Sequence, residues 1–219
     1  MRFNRGMKTV AGPLAAAVVL VLAGAPAAQA VITSAPEQAP EGTPLCPTNC
    51  LALTKTIGYQ AKIGTDRGLM TVKKDGTLVS WSVQLGAPNE NDAKSFTTTY
   101  GESQASIAVL RPGRKLRARV VAVSTPVKMA PYFGKAPEFA LDKTIPVKKG
   151  WIIALSVPTW IPAYTSGLTS DTSWRASRKK GACTKWAEQT AYAQDSIPQF
   201  WCLYRGERIF YSARIVSTT

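Results

Sequence analysis

The chain has no histidine in 219 residues. That absence removes every Ser-His and Cys-His nucleophile system, and with them the zinc sites that need an imidazole. Carboxylates are also scarce, 13 Asp and Glu against 27 Lys and Arg, for a formal net charge of +14. Few acids are left for general acid–base work, and the charge balance favours anionic partners. Beyond the N-terminus no apolar run approaches the ~20 residues that a spanning helix needs. No G-x-S-x-G, phosphate-binding loop, dinucleotide fingerprint or internal repeat occurs, and helical periodicity is nearly absent.

What is present begins with an address. Arg2, Arg5 and Lys8 precede the short apolar run LAAAVVLVLAG, and Ala28-Gln29-Ala30 is a small-x-small site, so residues 1–30 read as a signal peptide cleaved after Ala30. The expected mature chain of 189 residues keeps 24 basic side chains against 13 acidic ones, a net +11. It is expected to be secreted, with no transmembrane segment. Its anionic partners would be phosphate-bearing wall polymers, acidic polysaccharide or lipid headgroups, and export argues against nucleic acid.

Four cysteines in an exported chain point to disulfides. Three connectivities are possible, and Cys46 with Cys50 and Cys183 with Cys202 each close a local loop. The second would stabilise by about 3 kcal/mol on the chain-entropy model. C-x-x-x-C without histidine is a poor metal pair, so neither a metal nor a cofactor is expected.

Residues 31–53 are rich in Pro, Thr, Ser and Glu, lack an apolar period, and read as an extended tail. From residue 54 onward the period is two, the mark of half-buried antiparallel strands. In TLVSWSVQL the pattern points Val79, Trp81, Val83 and Leu85 inward, and in KTIGYQAKI Ile57, Tyr59, Ala61 and Ile63. SIAVLR and RKLRARVVAVS flank Arg111-Pro112-Gly113 as a hairpin. EFAL, IPV, WIIALSV, FWCLYR and ERIFYSARIV supply further strands. WIIALSV is apolar on both faces, so it reads as a central strand with Trp151 in the core. One short helix is expected over Thr184 to Ala193. Strands in this number with so little helix predict an all-β, two-sheet antiparallel sandwich spanning 54–219, with one long disulfide-tied loop.

TIPVKKGWIIALSV, Thr144 to Val157, resembles the segment of many jelly-roll sandwiches in which a strand ends in a basic pair, a glycine turns the chain, and an apolar strand crosses the core. The whole chain also looks like secreted bacterial β-sandwich proteins. This resemblance implies a jelly-roll-like fold and assigns no site residue.

Candidate chemistry gathers in Thr159 to Phe200. Trp160, Tyr164, Trp174 and Trp186 could stack sugar rings, or could form a small core under the loop. WRASRKKGACTKW places Arg175, Arg178, Lys179, Lys180 and Lys185 between two tryptophans, a mixture that suits an anionic polymer. A second basic row, Lys115, Arg117 and Arg119, alternates with Leu116, Ala118 and Val120, as the solvated face of a strand also would. Catalysis retains two routes. A carboxylate pair drawn from Asp171, Glu188 and Asp195 could hydrolyse a glycoside, and Tyr164 or Tyr192 could act as base in an elimination on acidic polysaccharide. Ala87 to Phe96 could wrap Ca²⁺ through Glu90 and Asp92, although a turn between strands suits it better. The sequence thus favours a non-catalytic binding or envelope-associated module for glycan or anionic polymer. The alternatives are a glycosidase or lyase and a self-associating surface protein.

Overall fold

The dyad patterning is realised as strands. The computed structural model describes residue 1 and residues 30–37, 42–185 and 191–218. Most of the expected signal peptide lies outside them, as do four residues of the tail and Trp186 to Thr190. In chain order the strands are β1 (Ala30–Ala35), β2 (Leu53–Ile63), β3 (Asp66–Arg67), β4 (Gly76–Val83), β5 (Gln104–Pro112), β6 (Ala118–Val123) and β7 (Val127–Lys128). They continue as β8 (Glu138–Val147), β9 (Ile152–Ile161), β10 (Tyr164–Thr165), β11 (Ser173–Ala176), β12 (Cys202–Arg205), β13 (Arg208–Ile209) and β14 (Tyr211–Thr218). An α-helix, α1 (Glu90–Tyr100), joins β4 to β5, and a short 3-10 turn, Ala130–Tyr132, lies between β7 and β8.

Every pairing between these strands is antiparallel. One sheet has the order β1-β14-β4-β8, and the facing sheet has the main path β12-β11-β2-β9-β5-β6. The principal pairs are nested: β5 with β6, β4 with β8, β2 with β9, and β1 with β14. A long hairpin wound about itself gives this order, which is the jelly roll. The segment between β9 and β14 is an excursion from that plan. It adds β11 and β12 to the outer edge of the larger sheet and pairs β10 with β13.

The main core lies between the sheets. Trp81, Val83, Ile107, Val109, Ile153, Leu155, Val157 and Ile215 meet there. The larger sheet is also covered on its far side, where Ile57, Ala108, Leu110, Ala118, Val120, Ala154 and Phe200 form a second core. Strand β9 therefore contributes Ile153 and Leu155 to one core and Ala154 to the other. Trp151, just before it, packs partly buried against the main core.

Several expectations are corrected. In β4 the register against β14 passes from Leu78 opposite Ile215 to Ser80 opposite Arg214, leaving Val79 in a bulge. The bulge reverses the pleat, so Leu78 replaces Val79 in the core. Part of the supposed tail is an edge strand: β1 pairs residue by residue with β14, from Ala30 opposite Thr218 to Ala35 opposite Ala213. Ala87 to Phe96 is neither a turn between strands nor a cation loop. Asn89 caps α1, its side chain accepting from the Asp92 N–H at 2.9 Å, and Glu90 and Asp92 occupy the first turn. The expected helix over Thr184 to Ala193 falls largely outside the described residues. Both disulfides form as the spacing suggested, Cys46 with Cys50 and Cys183 with Cys202.

Leu155→Ala removes a fully buried side chain from the central strand. It should cost about 2–5 kcal/mol, read as a lower denaturant midpoint with an unchanged slope.

Candidate functional site

The Trp160 and Trp174 rings are buried at 1% and 3% exposure, so neither offers a face to a sugar. Trp160 lies at the end of β9 between Phe96 of α1 and Phe133, with centroids 5.0 and 5.5 Å away, and its Nε1–H donates to the Gly101 carbonyl at 3.0 Å. Trp174 of β11 stacks on Tyr204 of β12 at 4.6 Å, and its Nε1–H donates to Glu207 at 2.8 Å. These tryptophans serve packing, and they serve it in different places. Trp186 lies outside the described residues. Lys179 and Lys180 are exposed, Arg175 is half-buried and Arg178 is buried.

Around Trp174 the excursion forms a polar knot. Arg178 donates to the Tyr204 hydroxyl and, at 3.3 Å, to the Thr54 carbonyl of β2. The Tyr204 hydroxyl donates in turn to the Cys183 carbonyl at 2.7 Å, next to the disulfide. Burial pushes the Glu207 carboxyl above its ordinary range, while the Trp174 N–H and Arg178 hold it down in part. Burial and the Glu207 charge together raise the Tyr164 phenol well above its usual range. A phenol so hard to ionise is a poor general base, which weakens the elimination route. Glu207 and Tyr204 carried no motif, because only the fold of the excursion brings them to Trp174 and Arg178.

The carboxylate route finds no support in the layout either. Asp171, which precedes β11, accepts from the Thr169 hydroxyl, and Asp195 lies beside β6, which the sheet order separates from β11 by β2, β9 and β5. Glu188 lies outside the described residues. Tyr192 packs against the second core.

Two basic surfaces emerge instead. A groove of about 310 Å³ opens on the larger sheet, lined by Lys62, Arg67, Arg175 and Arg205 with Tyr59 and Gln60. Strands β2, β3, β11 and β12 bring these cations together, and among the described residues no carboxylate forms an ion pair with any of them. Arg175 is aimed by its Nη1 group, which donates at 3.1 Å to the carbonyls of both Phe200 and Trp201.

The second surface is the predicted basic row. Residues 195–201 run antiparallel to β6 and the chain before it, with Arg117 bridged to Gln199 and the Phe200 N–H donating to the Leu116 carbonyl at 2.7 Å. Pro198 and Phe200 turn inward, so Ile197 and Trp201 face out beside Lys115, Arg117 and Arg119. The Lys180 ammonium lies 5.4 Å from the centre of the Trp201 ring. Among the described residues Trp201 is the exposed tryptophan, and sequence reasoning missed it. Its signal was available: Cys202 is tied inward by its disulfide, so Trp201, Leu203 and Arg205 must alternate outward.

No family model matches this chain, and no curated protein or solved structure matches it. The arrangement must therefore be read from its own chemistry. Converging cations and a half-buried tyrosine can hold oxyanions by charge-assisted hydrogen bonds.

Trp160→Ala and Trp174→Ala should each lower stability by about 3–5 kcal/mol, measured by chemical denaturation. Glu207 adds a pH effect of defined sign. With its folded pKa raised, its contribution is complete below the ordinary carboxylate value of 4.5 and is lost as pH rises through the folded value. Thermal midpoints should accordingly fall across that window, and Glu207→Gln should flatten the fall while keeping an acceptor for Trp174.

Proposed function

We propose that this chain is an exported, non-catalytic binding module for an anionic glycan or phosphate-bearing polymer of the cell envelope. The observation that carries the reading is the groove, in which Lys62, Arg67, Arg175 and Arg205 converge with no carboxylate of the described residues paired to them. Four cations held by neighbouring strands repel one another, and an anion relieves that repulsion as it binds. Tyr59 adds a partly apolar wall that suits a sugar ring or a polyol backbone.

Two disulfides support the exported setting, since such bonds persist in oxidising compartments. Among the described residues no helix is long and apolar enough to cross a membrane. The knot around Glu207 supports binding in another way, by holding β11 and β12 and hence the guanidinium groups of Arg175 and Arg205 in place.

The test is retention on immobilised poly(glycerol phosphate) and on polygalacturonate at two salt concentrations. Retention should weaken with salt, and Arg67→Ser with Arg205→Ser should reduce affinity by roughly tenfold or more at low salt, as loss of two charge-assisted contacts implies. Absence of retention on both polymers, or retention indifferent to these substitutions, would sink the reading.

A further inference from the structure

The outward face built by the β5–β6 tip and residues 195–201 holds more than charge. Leu116, Ile197 and Trp201 are exposed at 40%, 48% and 40%, and backbone hydrogen bonds between the two segments bring them to one region. Leu116 comes from the hairpin tip, and Ile197 and Trp201 come from the 195–201 segment. Arg114, Lys115 and Arg117 flank Leu116 along the chain, Arg117 is bridged to Gln199, and Arg111 stands directly opposite Arg119 across the hairpin. Like charges at that spacing destabilise a strand pair, and Asp195 offsets only Arg119, at 3.5 Å. Lys115 and Leu116 also take left-handed backbone angles, φ 56° and 57°, which non-glycine residues adopt at a cost. The two left-handed residues make the tight turn of the hairpin, which the Arg117 N–H closes on the Arg114 carbonyl at 3.1 Å.

We infer that this face docks the protein on an anionic lipid bilayer. A hydroxylated polymer could use Trp201 and the cations, but it has no use for exposed Leu116 and Ile197. The boundary between headgroups and acyl chains accepts all of them. Leucine and isoleucine enter the apolar layer, tryptophan sits at its margin, and Lys and Arg meet headgroup phosphates. Lys180 over the Trp201 ring places a cation and an aromatic at the same depth, as such a margin requires. The contact is shallow and lies in the membrane plane. It does not require the polymer reading of the groove.

Sedimentation of the full chain with vesicles tests the inference, using about a quarter phosphatidylglycerol in phosphatidylcholine against pure phosphatidylcholine. Partition onto the anionic vesicles is expected, with little onto the neutral ones and a blue shift of tryptophan emission that Trp201→Phe abolishes. The double substitution L116S/I197S, at two exposed positions, should lower partition by roughly tenfold with an unchanged thermal midpoint. Arg67→Ser with Arg205→Ser should leave partition unchanged, which separates this face from the groove. Three results would overturn the inference: no partition onto anionic vesicles, partition indifferent to L116S/I197S, or sensitivity to L116S/I197S only in binding to soluble polymer.

Discussion

Strand β9 is buried on both faces, and the rest of the architecture follows from that demand. A strand with Ile153 and Leu155 on one side and Ala154 on the other leaves one apolar face in water unless a second layer covers each side. The facing sheet covers one. On the other side, the β5–β6 hairpin and the extended chain carrying Phe200 form a smaller core. The segment between β9 and β14 therefore has a structural duty before it has any functional one.

That duty explains how a long excursion stays ordered beside a jelly roll. Trp174 enters the main core, the Cys183–Cys202 bridge closes the loop, and Arg178 ties it to β2 through the Thr54 carbonyl. Burying Arg178 and Glu207 is costly in a low-dielectric setting, and the hydrogen bonds to Tyr204 and Trp174 offset that cost. A polar knot of this kind favours one geometry over others, because each partner satisfies a buried group. The outermost strand β12 is thereby fixed well enough to present Arg205 beside Arg67.

The positive charge is distributed with similar economy of contact. Among the described residues Arg119, Lys128 and Arg214 join ion pairs with carboxylates, while the groove and the hairpin tip each concentrate guanidinium and ammonium groups that repel one another. Strain at Lys115 and Leu116 adds to this cost. A fold with two well-formed cores can carry such local penalties, and surfaces that carry them are where binding is expected.

The amino-acid pattern by itself determined the β class, the central place of WIIALSV and both disulfide pairs, because pleat alternation and loop closure are local properties; the jelly-roll plan was implied only by the resemblance of TIPVKKGWIIALSV to such sandwiches. It also made the row Lys115, Arg117 and Arg119 visible as one face of a strand. It misplaced Val79, since a bulge is invisible without the partner strand. It also missed α1, which has almost no apolar stripe and rests on Phe96 and the Asn89 cap. Only tertiary structure decided that Trp160 and Trp174 lie inside, that Trp201 lies outside, and that Lys62, Arg67, Arg175 and Arg205 share one groove. Which side of a ring meets water depends on strands far apart in the chain, and no local spacing records that pairing.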